Sequence, residues 1–219
     1  MGLFSRWFSN KDTQTESRQV SHPKALKVGD VIGFSDSFAL PELLRKQSFR
    51  VEKTHTYQFE HTGYTEFVLL GQSNTQVYLA VLQDDEEWLN VSIKINHDQV
   101  SALFDLEQFS DIFDETTNTE LALQNEQHDF ANWVSPVYFQ RKFAERGYFY
   151  KQDFRPGKPP LEEEDGSEAL DYFCLTSSDE SFSVEVEVWQ DGDTDVLLTI
   201  HLPISEIVEI YPGEASDNP

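Results

Sequence analysis

The stretch Asp191-Gly192-Asp193-Thr194-Asp195 places side-chain oxygens at alternate positions, the way a loop begins to wrap a calcium ion. It stops short of an EF-hand, because Val196 stands where that loop needs its glycine and Leu202 where it needs a distant glutamate. The Asp-Gly pair better suits a solvated hairpin turn. His55, Glu60 and His61 are the next metal-like set, but positions six apart on a straight strand are separated by about 20 Å, too far for one ion. His97 and His201 have no convincing partner in the sequence, so the expectation is no metal site and no cofactor. The acidic run Asp84-Asp85-Glu86-Glu87 is evenly hydrated in a turn, whereas a catalytic acid and base need unlike, partly buried surroundings. There is no phosphate-cradling glycine loop, nucleophile elbow or paired-cysteine site, and no catalytic residue is assigned.

Two further clusters carry chemistry of association. Arg141, Lys142, Arg146 and Arg155, with Lys151 and Lys158, crowd among Tyr148, Tyr150 and neighbouring phenylalanines. Such a basic aromatic patch reads single-stranded nucleic acid, binds acidic lipid, or pairs with the chain's own carboxylates. The formal charge of −24 and pI near 4.4 repel phosphate, which favours the last reading and argues against a nucleic-acid partner. At the N-terminus, Leu3, Phe4, Trp7 and Phe8 share one face of a helix, with Arg6, Ser9 and Asn10 elsewhere. That is the layout of a segment that docks on a membrane surface or on a protein. The run is too short to span a bilayer and lacks a secretory cleavage site, and Arg6 stands where a myristoylation motif wants Ser or Thr. Cys174 has no intrachain partner and sits between Phe173 and Leu175, a buried strand position rather than a reactive thiol.

The elements behind these residues are mostly strands. In Val184-Glu185-Val186-Glu187-Val188-Trp189, apolar and acidic residues alternate, which predicts a half-buried strand with valines inward and glutamates outward. Asp191-Gly192 turns the chain, Val196–Ile200 returns as partner, and Pro203–Ile210 reads as a short segment laid over the hairpin. Shifting Ser183–Tyr211 back by 107 positions lays it on Gln76–Phe104 without a gap, acidic turn on acidic turn, which points to an internal duplication. Upstream strands are expected at 27–34, 49–59 and 65–70. Short helices are expected at Pro41–Gln47 and, capped by Ser135-Pro136 and ended by Gly147, just before the strand 148–154. A helical stripe runs through Leu103, Phe104, Leu106, Phe109, Ile112 and Phe113, and Thr116–Asn125 reads as a polar connector. With 13% aromatic residues, including 17 Phe, the chain has enough core material to fold.

The short aromatic start Met1–Phe8, the entry Val28-Gly29-Asp30-Val31 and the acidic, strand-rich body resemble an uncharacterised bacterial group, the YjfK-like family. The resemblance implies a cytoplasmic protein encoded near membrane-stress proteins of the phage-shock type, and it brings no residue with a known role. The reading is therefore α+β and strand-dominated, in two similar tandem halves of antiparallel hairpins with short helices. Its parts are an N-terminal segment and tether at 1–27, halves at 28–114 and 132–211 joined by 115–131, and a tail at 212–219. The expected function is a non-catalytic cytoplasmic adaptor with a protein partner, peripheral to the inner face of the membrane. The alternative is a small-ligand binder or enzyme with its site between the halves, near Tyr148, Tyr150 and Tyr172.

Overall fold

Alternating apolar and polar residues fill most of the chain, and the computed structural model, which describes residues 18–125, 129–160 and 166–213, turns them into antiparallel strands. The strands are β1 (Val31–Phe34), β2 (Ser48–Phe59), β3 (Gly63–Leu70), β4 (Gln76–Gln83) and β5 (Glu87–Ile95). Two short helices follow, α1 (His97–Leu103) and α2 (Leu106–Ser110). The remaining strands are β6 (Glu120–Ala122), β7 (Val137–Tyr150), β8 (Ser167–Thr176), β9 (Phe182–Trp189), β10 (Thr194–Pro203) and β11 (Ile207–Tyr211). All lie in one sheet ordered β11-β1-β2-β3-β4-β5-β10-β9-β8-β7-β6.

The last four residues of β2 also pair with β7, Thr56 opposite Tyr150 and Phe59 opposite Gly147. That contact closes β2-β3-β4-β5-β10-β9-β8-β7 into a ring of eight strands. The first part of β2 pairs instead with β1, and the first part of β7 with β6, so the sheet splits into two arms where the ring closes. Closure is tight at one point: a Cβ on Gly147 would stand 2.5 Å from the ring of Phe59.

Each ring strand has an inner and an outer face. Phe67, Leu79, Val91, Val184, Val186 and Leu198 belong to the main core, which Leu40, Leu44, Phe104 and Ile112 of the connecting segments complete. The opposite faces meet inside the ring, where Tyr57, Phe59, Phe149, Leu170 and Tyr172 form a second apolar cluster. Among the described residues, no helix is long and apolar enough to cross a membrane.

Several local expectations are corrected. Residues 137–150 form β7, not a helix. Its register with β8 shifts between Gln140 and Lys142 and again before Glu145, and Ala144 has a positive φ of 45°. Such bulges insert residues that break the two-residue alternation, leaving the local Ser-Pro cap signal as the loudest one. Pro41–Gln47 is a series of turns in which Leu44 and Arg45 both donate to the Pro41 carbonyl before Lys46 turns left-handed at φ 59°. The stripe at 103–113 breaks at Phe104-Asp105 into α1 and α2, each with its own cap, Asn96 and Asp105. Leu103, Phe104, Phe109 and Ile112 are buried, whereas Leu106 and Phe113 stay about 40% exposed because the two helices do not share one face. The supposed polar connector contains β6, with Leu121 fully buried. Pro203–Ile210 does not lie over the hairpin: β10 runs to Pro203, and β11 then pairs with β1.

Candidate ligand-binding interior

β9 defines the site. Val184 and Val186 point to the main core, so Ser183, Glu185 and Glu187 point into the ring. The expected wet face is therefore buried, with Glu185 8% and Glu187 2% exposed. The correction follows from ring closure: a strand whose two sides both face protein has no solvent face, whatever its pattern.

Glu66 of β3, itself 7% exposed, faces Glu187 across the ring. Tyr57 lies against the Glu187 carboxyl, whose oxygen Oε2 is buried without a hydrogen-bond partner. Burial, reinforced by Glu66 and opposed by Lys94, pushes the Glu187 carboxyl up to about 8. It is thus largely protonated at neutral pH. Burial likewise holds the Tyr57, Tyr64 and Tyr172 hydroxyls well above their usual range, helped by the nearby carboxylates. The same cause pushes the Cys174 thiol up to about 12, so it remains a neutral thiol lining the cavity.

Around this centre the polar groups are positioned in pairs. His55 Nδ1 lies 3.1 Å from Glu66 Oε1, with its ring edge-on to Phe149. His201 bridges Asn90 Oδ1 at 2.8 Å and Ser183 Oγ at 3.1 Å, and burial pushes its pKa down. Ser183 Oγ also donates to Glu185 Oε1 at 3.2 Å. Ser92 and Thr199 share a 2.8 Å hydrogen bond across the β5–β10 seam. Lys94 donates to Asp195 at 2.6 Å, and so does Trp189 Nε1 at 2.9 Å. Tyr57 and Tyr64 stack with centroids 4.9 Å apart. Lys142 Nζ stands 5.5 Å from the centre of the Phe59 ring and 5.4 Å from that of Tyr172.

The interior opens in two clefts of about 650 and 1000 Å³ that share Glu66 and Tyr78. Lys53, His55, Lys151, Asp191 and Trp189 line the first. Leu82, Trp88, Asn90, Lys142, Cys174 and His201 line the second. A cleft of this size, walled by aromatic rings with a few convergent polar groups, has the character of a small-molecule site. Among the described residues, no group of three His, Cys, Asp or Glu is placed to hold a metal ion.

The sequence-derived candidates fall elsewhere or are spread apart. Leu3, Phe4, Trp7 and Phe8 lie outside the described residues. Arg141 is exposed, Arg146 pairs with Asp171 at 3.2 Å, and Lys151 pairs with Glu168 at 2.5 Å. Lys142 pairs with Glu145 at 2.6 Å at a cleft mouth. Arg155 is held by Asp153 at 2.6 Å, donates to the Leu26 carbonyl at 2.8 Å and covers the Phe67 ring. Of the three tyrosines named for an inter-half site, Tyr172 lines the interior, Tyr150 is buried with its hydroxyl on the Pro160 carbonyl, and Tyr148 lies beside Arg146. Asp191–Asp195 is a turn running into β10, and Asp195 is taken up by Lys94 and Trp189. His61 and Glu60 are exposed on the β2–β3 turn, away from His55.

The inner glutamates were missed because their strand alternates. A signal was present in the neighbours: Val77-Tyr78-Leu79-Ala80-Val81-Leu82 and Val196–Ile200 are nearly continuous apolar runs, the mark of strands covered on both faces. No family model, curated protein or solved structure matches the chain.

Proposed function

We propose that the ring interior is a binding site for a small organic molecule, entered through the larger cleft. The observation that carries this reading is Glu187: an almost fully buried carboxyl with one oxygen unpartnered, set in the wall of an open cavity. An unsatisfied buried polar atom costs about 1–3 kcal/mol, a cost that a ligand reaching it would relieve. This is the small-ligand alternative drawn from the sequence, keeping Tyr172 and moved from Tyr148 and Tyr150 to the inner wall. The test is native mass spectrometry and thermal melting of the full chain against small cations, neutral alcohols and carboxylates. Binding should be lost in Ala80→Trp, which fills the inner wall, and in Leu82→Trp at one mouth, both checked for an intact melting transition. Equal binding by both variants, or none by the parent, overturns the reading.

The ring is also read here as two copies of one four-stranded meander, β2–β5 and β7–β10. Support comes from the β5–β10 seam, where Ser92 lies opposite Thr199, its counterpart at the shift of 107. The hairpins depart from a gap-free match, since Tyr78 pairs with Ser92 but Glu185, 107 positions on, pairs with Leu197. That offset of two residues keeps the same side chains inward. Docking through Leu3, Phe4, Trp7 and Phe8 remains a separate proposal, carried by a sequence spacing that would bring them together on one face of a helix formed on docking. Removing residues 1–11 should abolish co-sedimentation with liposomes or a protein partner, and unchanged recovery with both would refute it.

A further inference from the structure

Resting on the interior-site reading, we infer that the ligand is a small primary ammonium ion whose charged nitrogen docks at Glu187 between Glu66 and Glu185. The three carboxyls stand on opposite walls, β3 and β9, and point at one space. Oε2 has no hydrogen-bond partner, and once Glu187 gives up its proton this oxygen is an acceptor alone, open to an N–H or O–H donor. Lys94 acts on Glu187 but is engaged by Asp195 at 2.6 Å and lies over the Tyr78 ring, and Lys24, Lys142 and Arg155, which line the larger cleft, are each paired with a carboxylate at 2.6 Å. The stacked faces of Tyr57 and Tyr64 beside the carboxyls suit a cation. An anion would meet three acids here. A bare metal ion would need ligands clustered about it, and among the described residues no such cluster exists. An alkylammonium reaches more widely spaced acceptors through separate N–H groups and fills the aromatic wall with its carbon chain. A quaternary ion has no N–H to offer Oε2.

Docking carries a proton balance. The neutral Glu187 carboxyl loses its O–H proton to solvent as the ammonium arrives, giving a carboxylate–ammonium pair and one released proton. The groups facing Glu187 are Tyr57 of β2, Tyr64 and Glu66 of β3, Tyr78 of β4, Lys94 of β5 and Glu185 of β9 itself. Asp195 of β10 acts through Lys94, and Tyr172 of β8 through Glu185.

The experiment is calorimetric titration of the full chain at pH 7 in two buffers of different ionisation enthalpy. The probes are n-butylammonium, phenethylammonium, the matching alcohols, tetramethylammonium, butyrate and calcium ion alone. The primary amines should bind with release of close to one proton. Their affinity should rise up to tenfold per pH unit from pH 6 to 8 and level off above. Glu187→Gln should weaken them at least tenfold and remove the proton release; Glu66→Gln, a second variant, should also weaken them. Binding of alcohols or tetramethylammonium as tight as the amines, or proton release that persists in Glu187→Gln, overturns the ammonium assignment and leaves the interior site standing. Saturable calcium binding lost in Glu187→Gln overturns it in favour of a metal. Silence from every probe, together with the silence of the broader panel, overturns both.

Discussion

Glu187 is the residue on which the interior turns. Its carboxyl sits near 8 in the folded protein against an ordinary value of 4.5, so between those pH values the folded state holds a proton that the unfolded state has lost. The stability that goes with that proton is fully present below pH 4.5, falls as pH rises and is gone above about 8. Glu187→Gln removes the dependence. Relative to the parent, the variant should gain up to about 1.4 kcal/mol per pH unit across that window and nothing further above it. Urea unfolding at pH 4, 6, 8 and 9 reads the difference, and a constant gap would show that the carboxyl titrates normally. Gly147 is the second such position. With the Phe59 ring 2.5 Å from where its Cβ would be, Gly147→Ala should cost about 1–3 kcal/mol, and Phe59→Leu in the same chain should recover part of it. Additive losses in the double variant would place the strain elsewhere.

Among the elements, the arm made of β1 and the edge strand β11 depends on a clasp as well as on its ladder. Asp30, just before β1, is fully buried and accepts from the backbone of Lys27 and of Gly213, both at 2.8 Å, and from Arg18. It ties the end of β11 to the start of β1. Asp30→Ala should cost about 1–3 kcal/mol by stranding those donors, with faster amide exchange concentrated in β1 and β11. Unchanged protection in β11 would mean the strand ladder alone holds it. The hairpins β4–β5 and β9–β10 were readable because strand-length apolar or alternating runs flank an acidic turn. β7 was not readable, because its bulges scramble the period over the residues that carry the misleading cap signal. β11 is too short for any period, and its place is set by a partner more than 170 residues away, β1.

At the scale of the molecule, a charge of −24 on one body is a repulsive load that salt relieves. Raising NaCl from about 0.01 to 0.15 M shortens the screening length from about 30 to 8 Å. The melting temperature should rise over that range; a fall would show that the ion pairs of Lys24, Lys94 and Lys151 outweigh the general repulsion. The strand-rich class, the paired hairpins and the acidity follow from composition and local period, since these depend only on neighbours in the chain. The direction in which a side chain meets water does not. The valine–glutamate alternation specifies two faces of β9, but which of them is wet depends on whether β2 finds β7 and β5 finds β10. Those pairings join residues 88 to 115 positions apart. Only ring closure turns the glutamate face inward, strips its water and leaves one carboxyl oxygen without a hydrogen-bond partner.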